Sequence, residues 1–231
     1  NLDDVGKVFD SEPGNLIIPN PNLKPEIANN FEINYEVSSK KILIKNAIYY
    51  INLKNAITRS LTRFNNQDSI MYDGTLSRVQ TLTNTGKANV YGFSNKISYF
   101  ISKKIIVINT ISYNYSNDII NKKPLRHSPP LFGKFEISYK TKNIELIYNL
   151  IYNGKKSIEN FADSELNKLY LYTKDGSPSW KTHNISIIYN INYFIKANFS
   201  VENIFDLHYR TYSSGISAPG RNFNFGLNIK F

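Results

Sequence analysis

The last ten residues of the chain read Asn-Phe-Asn-Phe-Gly-Leu-Asn-Ile-Lys-Phe, from Asn222 to Phe231. Large apolar side chains occupy every second position, and asparagine, glycine or lysine occupies the positions between them. Successive side chains of a β-strand point to opposite faces, whereas a helix would scatter these residues around its axis. The segment therefore predicts a strand with one wholly apolar face and one polar face.

The same period of two recurs upstream. The clearest apolar faces are Phe31, Ile33, Tyr35 and Val37; Tyr91, Phe93, Ile97 and Tyr99; Phe135, Ile137 and Tyr139; Ile144, Leu146, Tyr148, Leu150 and Tyr152; Ile185, Ile187, Tyr189 and Ile191; and Ala197, Phe199 and Val201. The pattern predicts about nine antiparallel strands, at residues 29–38, 41–60, 77–100, 104–117, 131–141, 143–153, 181–192, 196–205 and 221–231. The fold class is therefore all-β.

The connections between these strands alternate in length. Short polar turns lie near residues 38–41, 102–104, 140–143 and 192–194, and long segments cover residues 61–76, 117–130, 154–181 and 206–220. Transmembrane β-barrels of the bacterial outer membrane have short periplasmic turns and long extracellular loops. A soluble β-sandwich would mix its loop lengths, so the alternation favours the barrel.

Three further features favour lipid over a soluble core. Tyrosines such as Tyr99, Tyr139 and Tyr152 lie towards the strand ends, as in interfacial aromatic girdles. The polar faces suit a watery lumen, and several strands are long enough to cross a bilayer when tilted. Because every backbone group in hydrocarbon needs a partner, only a closed sheet is stable there. Nine strands are too few and odd in number, so we expect the others to come from residues before Asn1.

Composition excludes several classes of protein. The chain has no cysteine, which rules out disulfides and thiolate metal sites. Its net charge of +10 comes from basic residues spread along the chain, unlike the clustered charge of a nucleic-acid binder. This charge reflects either coding bias or a lumen that attracts anionic ligands. No nucleophile elbow, phosphate loop or H-E-x-x-H motif is present, so we expect no enzyme activity and no catalytic residues.

Three stretches resemble the TonB-dependent receptors. The first is Asn20, Pro21, Asn22, Leu23, Lys24, Pro25 and Glu26, followed by the tyrosine-bearing strand from Phe31. The second is Asn84 to Ala88 followed by Tyr91-Gly92-Phe93. The third comprises Asn203, Phe205 and Asp206, then Pro219, Gly220 and Arg221, and the terminal Phe231. Their order and spacing resemble the family along nearly the whole chain.

The resemblance implies a 22-stranded outer-membrane barrel that encloses an N-terminal plug. On this interpretation, residues 1–231 are the C-terminal portion of the barrel, and the plug and the N-terminal strands lie outside this sequence. The family implies uptake of a scarce nutrient, most often an iron source, with energy from the TonB complex acting through the plug. Asn224, Gly226, Ile229 and Phe231 are similar to the signal that the barrel-assembly machinery reads. Outer-membrane lipid is the other expected partner, and nucleic acid is not expected.

The ligand is less defined by the sequence. The Asn20–Leu23 box also resembles the haem and haemoglobin branch, but Leu2–Pro19 contains no histidine, and similar boxes occur in siderophore receptors. We therefore expect no permanently bound cofactor or metal, and either a ferric siderophore or haem as the transported ligand. Loop residues that could contact it are His127, His208, Tyr170, Tyr172, Trp180, Tyr209, Tyr212 and Arg210. The alternatives for function are a passive diffusion pore, or an enzyme or adhesin built on an outer-membrane barrel.

Overall fold

A computed structural model of the chain describes residues 5–12, 14–120, 122–166 and 169–231. Nine long strands were predicted, and all nine are present. They are β3 (Ile27–Ser38), β4 (Ile42–Leu61), β6 (Thr75–Phe100), β7 (Ile105–Asp118), β9 (Phe132–Lys140), β10 (Ile144–Asn153), β13 (Trp180–Asn190), β14 (Ile195–Glu202) and β15 (Asn222–Ile229). The predicted all-β, mainly antiparallel fold is confirmed.

Several short elements were not predicted. The additional strands are β1 (Phe9–Glu12), β2 (Asn15–Ile18), β5 (Ser69–Tyr72), β8 (Lys123–Pro124), β11 (Lys156–Ser157) and β12 (Gly176–Ser177). Single helical turns cover Ile158–Asn160, Asp163–Leu166 and Leu169–Leu171. All but the first two strands lie within the long connections between the nine main strands. No helix among the described residues is long and apolar enough to cross a membrane.

Contacts divide the chain into two compact units. Unit 1 contains the described residues of Asn1–Asn30, Ile51–Val90 and Asn117–Lys122. Unit 2 contains Phe31–Tyr50, Tyr91–Ser116 and the described residues of Lys123–Phe231.

In unit 2 the strand register aligns the apolar faces. Directly paired residues form a row across six strands: Ile105, Tyr139, Leu146, Ile187, Phe199 and Phe225. On the other face, Glu136 pairs with Asn149, which pairs with Asn184. Because side chains alternate along each strand, this register keeps one face of the sheet apolar and the other polar.

The apolar face of unit 2 is exposed. Leu146 is 41% exposed, Phe199 43% and Phe225 74%. The buried apolar side chains of Phe161 and Ala162 in unit 2 both lie in a loop and not on the strand faces. A β-sandwich would bury this face against a second sheet. The exposure therefore excludes the sandwich and suits a lipid-facing surface.

Unit 1 has a small core that the sequence did not predict. The chain turns at Gly14, whose φ is +82°, and β2 then pairs in parallel with β6, with Leu16 opposite Val79. Leu16, Ile17 and Val79 are at most 1% exposed. The contact joins residues that are more than sixty positions apart in the sequence, so strand periodicity cannot indicate it.

Candidate functional site

The candidate site lies in unit 2, at the end of the sheet where the long loops are found. The loop after β10 and the loop after β14 together line a cavity of about 340 Å³. Its walls include five of the eight residues proposed from the sequence as ligand contacts: Tyr170, Tyr172, His208, Tyr209 and Arg210. Nearly forty residues separate the two groups in the chain, and the antiparallel sheet brings their loops together.

Arg210 and His208 are the basic side chains of this cavity. The guanidinium of Arg210 donates to the carbonyl of Leu171 at 3.2 Å and to the Ser217 hydroxyl at 3.4 Å. The Nε2 atom of His208 lies 3.0 Å from the same hydroxyl. These contacts position the guanidinium without neutralising its charge, because both acceptors are uncharged. A cationic group beside tyrosine rings suits an anionic ligand with flat or aromatic parts.

A buried carboxylate lies in the same loop cluster. Glu165 is 4% exposed and accepts hydrogen bonds from the backbone N–H of His127 at 3.1 Å and of Ala162 at 3.2 Å. It also accepts from the Ser213 hydroxyl at 3.2 Å and from the Tyr212 hydroxyl. A buried charge needs such partners, because desolvation without them is costly. Glu165 therefore ties together three segments of the loop region.

The environment of this carboxylate shifts two neighbouring groups. Burial raises the pKa of Tyr212, and its hydrogen bond to the Glu165 carboxylate raises the pKa further. Burial lowers the pKa of Lys156, and the negative charge of Glu165 opposes that shift. The Lys156 ammonium lies 4.3 Å from the centre of the Tyr212 ring. Tyr212 is thus held neutral between a cation and an anion.

Aromatic side chains pack against one another within the loop region. The Phe161 ring contacts Tyr172 and Tyr212, with ring centroids 4.8 and 5.4 Å apart. Trp180 stacks on Tyr209 with centroids 4.3 Å apart, and burial raises the pKa of Tyr209, with a further contribution from Glu202. The buried indole N–H of Trp180 has no hydrogen-bond partner among the described residues.

The remaining sequence-proposed residues have structural contacts. His127 lies outside the cavity, where its Nδ1 atom is 2.7 Å from the Ser213 hydroxyl. Trp180 and Tyr212 contribute to packing rather than to the cavity wall. Glu165, Ser213 and Ser217 were not identified from the sequence. Glu165 and Ser213 contact residues more than thirty positions away, so no local motif could have indicated them. Ser217 contacts Arg210 and His208, which are seven and nine residues away in the same loop. No group of three metal-ligating side chains is found among the described residues.

The first motif, Asn20–Glu26, is held by hydrogen bonds to the strands of unit 1, the unit to which it belongs. The Asn20 amide donates to the Leu82 carbonyl at 2.8 Å, and the Glu26 carboxylate accepts from the N–H of Ile57 at 2.7 Å. Asn84 exchanges two hydrogen bonds with the backbone of Lys24, each 2.7 Å long. The motif therefore has a structural role in this chain.

The third motif closes the loop between β14 and β15. Asn203, with φ of 48°, donates through its side chain to the Leu207 carbonyl at 2.9 Å. Asp206 accepts from the Arg221 N–H at 2.7 Å, and the Arg221 side chain donates to the Ile204 carbonyl at 2.8 Å. In the proposed assembly signal, Gly226 lies beneath the Asn198 side chain, and the ring of Phe231 is fully exposed.

Long strands with one apolar, exposed face, short turns at one end and long loops at the other define the chain as part of an outer-membrane β-barrel. The profile of the family described as "TonB dependent receptor-like, beta-barrel" matches residues 3–204. The chain therefore belongs to the TonB-dependent receptor family. Receptors of this family lie in the outer membrane of Gram-negative bacteria, and this chain has the same location. In barrels of this kind the short turns face the periplasm and the long loops face outward.

Solved structures share this fold. The copper transporter OprC aligns with a TM-score of 0.73 and 16% identity, over 92% of this chain and 32% of OprC. The siderophore receptor PirA from Acinetobacter baumannii aligns with a TM-score of 0.72 and 20% identity, over 96% and 35% of the two chains. A mutant of the ferric enterobactin receptor PfeA from Pseudomonas aeruginosa aligns with a TM-score of 0.71 and 17% identity, over 94% of this chain and 33% of the receptor. The chain thus spans about a third of the length of these proteins. No curated protein sequence matches it.

Proposed function

We propose that residues 1–231 form the C-terminal portion of the barrel of an outer-membrane receptor that takes up a scarce nutrient with energy from TonB. An iron source, either a ferric siderophore or haem, is the proposed ligand. The proposal depends mainly on the cavity formed by Tyr170, Tyr172, His208, Tyr209 and Arg210. The similarity to siderophore receptors adds support, although the copper transporter shares the fold to the same degree. The barrel-assembly machinery, outer-membrane lipid and a plug that contacts TonB are the proposed partners.

The cavity suggests a division of roles. The Arg210 guanidinium would attract the carboxylate or catecholate oxygens of a ferric chelate, and the tyrosine rings would cover its flat surfaces. Of the two proposed iron sources, the siderophore is the better match, since His208, the histidine in the cavity wall, already contacts Ser217. Haem would need His208 to release that hydroxyl before its Nε2 atom could bind iron.

The test measures binding and uptake by the whole receptor that contains this chain. Cells expressing it are given radiolabelled iron bound to a panel of siderophores or supplied as haem, with and without TonB. We expect saturable uptake of one ligand that requires TonB. Replacing Arg210 with Gln should weaken ligand binding about tenfold or more, because a charge-assisted hydrogen bond contributes about 1.5–3 kcal/mol.

Lys174→Gln is the matched control, because it removes one exposed positive charge from the same loop region without touching the cavity. It should leave binding unchanged. Uptake that is unsaturable and independent of TonB would instead assign the barrel to passive diffusion. Equal losses in the two variants would show that the cavity does not hold the ligand.

A further inference from the structure

The four short turns of unit 2 repeat one four-residue pattern. A serine, threonine or asparagine is followed by two exposed tip residues and then by isoleucine, at 39–42, 102–105, 141–144 and 192–195. In each turn the side-chain oxygen of the first residue accepts a hydrogen bond from the N–H of the isoleucine. The distances are 3.1 Å for Ser39, 3.1 Å for Ser102, 3.0 Å for Thr141 and 2.9 Å for Asn192. This bond fixes the turn and keeps the tip residues outermost.

Backbone hydrogen bonds join the turns in series. The donor and acceptor pairs are Phe100 N–H to Lys41 at 2.8 Å, Lys140 N–H to Lys104 at 2.8 Å, Asn190 N–H to Asn143 at 2.8 Å, and Lys230 N–H to Phe194 at 2.9 Å. The turns therefore end at one level and form a continuous edge. We call this edge the periplasmic rim, comprising residues 39–42, 102–105, 141–144, 192–195 and Lys230.

The periplasmic rim is strongly cationic. Its tip positions include Lys40, Lys41, Lys103, Lys104 and Lys142, all exposed. None of the described tip residues is acidic. Glu145, the residue after the third turn, forms an ion pair with Lys140 at 3.0 Å, outside the tips. At the remaining turn, the Lys230 ammonium lies 5.2 Å from the centre of the exposed Tyr193 ring.

The lysines lie next to the membrane boundary. Tyr99, Tyr139 and Tyr189 are exposed on the apolar face, three or four residues before the tips, where an aromatic girdle marks the interface. The headgroup layer adds roughly 5–8 Å beyond the hydrocarbon on each side of a bilayer. A lysine stem can lie along apolar surface while its ammonium extends into that layer. The tip ammonium groups can therefore reach the depth of the lipid phosphates.

We propose that the periplasmic rim binds the headgroups of anionic phospholipids in the periplasmic leaflet, in preference to zwitterionic ones. Several ammonium groups on one edge attract lipids with a net negative charge, and the tyrosines below them hold the rim at the headgroup depth. The exposed aromatic tip, Tyr193 and Phe194, fits a lipid interface better than an aqueous protein surface. This role is separate from ligand uptake through the outward loops.

The test uses the purified whole receptor in vesicles of phosphatidylethanolamine containing spin-labelled phosphatidylglycerol or spin-labelled phosphatidylethanolamine. Electron spin resonance gives the fraction of each labelled lipid that is immobilised at the protein. We expect the wild-type receptor to favour phosphatidylglycerol, and added salt to weaken that preference. The variant Lys40→Gln, Lys41→Gln, Lys103→Gln and Lys104→Gln should lose most of it.

A matched variant removes four positive charges away from the rim: Lys54→Gln, Lys122→Gln, Lys174→Gln and Lys181→Gln. It should keep the preference. Circular dichroism and the mobility of the unheated protein on gels check that both variants are folded barrels. The proposal is overturned if the rim variant keeps the preference, or if both variants lose it equally. It also fails if neither the wild type nor either variant prefers phosphatidylglycerol. In that case, impaired uptake by the rim variant alone would indicate that the rim binds a periplasmic protein.

Discussion

At the scale of the residue, two strand glycines are required by close packing. Gly92 in β6 and Gly133 in β9 each lie under a tyrosine ring, that of Tyr49 and of Tyr152 respectively. A β-carbon at Gly92 would lie 2.6 Å from the Tyr49 hydroxyl and closer still to the Tyr113 carbonyl. The Tyr113 carbonyl and the Tyr49 ring thus leave no room for a side chain at position 92.

Gly92→Ala should therefore destabilise the barrel by about 1–3 kcal/mol, the usual range for overpacking. The Tyr113 carbonyl is backbone, so it cannot move aside without shifting a strand. Gly215→Ala is the control, because nothing lies within 4 Å of a β-carbon at that position. Unfolding in urea gives the two stabilities. A wild-type midpoint for Gly92→Ala would contradict the close approach of Tyr113.

The hydrogen bond between Tyr212 and Glu165 should limit opening of the loop after β10. Replacing Tyr212 with Phe removes a hydrogen bond to a carboxylate, so local opening of the loop should increase about tenfold or more. Limited proteolysis between residues 154 and 180 measures this opening. Leu171→Met, a conservative substitution in the loop that is cleaved, should have little effect. Equal cleavage of the Tyr212→Phe and wild-type proteins would contradict the carboxylate contact.

The same contact predicts a pH dependence. The folded protein raises the pKa of Tyr212, so the fold favours the neutral phenol. The stabilisation is fully present below the unfolded tyrosine pKa of about 10 and is lost as pH rises above it. Loop cleavage of the wild-type protein should therefore accelerate above about pH 10. Tyr212→Phe should lack this component, and a shared alkaline profile would contradict the assignment.

At the scale of the element, Asn84 in β6 forms a clamp that holds the Asn20–Glu26 motif within unit 1. The Asn84 side chain makes three hydrogen bonds, two with Lys24 and one with the Asn55 carbonyl at 2.8 Å. Asn84→Ala should release the segment before β3, because two separate partners lose their contacts at once. Hydrogen exchange of residues 14–25 should become at least tenfold faster.

Asn22→Ala is the control for the clamp. Asn22 belongs to the same motif, but the bond it forms uses its backbone N–H, which donates to Asn20 at 3.0 Å, and its side chain is exposed. Its exchange pattern should match the wild type. If residues 14–25 exchange as slowly in Asn84→Ala as in the wild type, the pairing of β2 with β6 is enough to hold the segment, and the clamp is not needed.

The difference between predicted and unpredicted elements has a physical reason. The long strands were predictable because one face meets lipid and the other meets water, so each strand displays its environment in its own sequence. β2 and the buried Glu165 depend on partners more than thirty residues away. Their stability comes from non-local contacts, which leave no local period. The same applies to the cavity around Arg210, whose members were proposed individually and whose proximity required the structure.

At the scale of the whole molecule, the strand pairing leaves β3 and β15 as partners of β4 and β14 respectively. Each therefore presents one edge that no described strand covers. In hydrocarbon such an edge would leave backbone groups unpaired, at a cost of several kcal/mol each. This supports the proposal that strands outside residues 1–231 complete the barrel, with the last strand closing against the first.

The orientation of the barrel in the membrane can be tested with introduced cysteines. The chain has no cysteine, so introduced cysteines are its only thiols. In the whole receptor, with any thiols outside this segment replaced, Tyr170→Cys should react with a membrane-impermeant maleimide on intact cells, since this loop residue is 81% exposed. Lys103→Cys, on a short turn, should react only after the outer membrane is permeabilised. Labelling of Lys103→Cys on intact cells would show that the short turns face outward, against the prediction. The apolar strand faces do not decide between the two orientations, because they look the same to the lipid either way up.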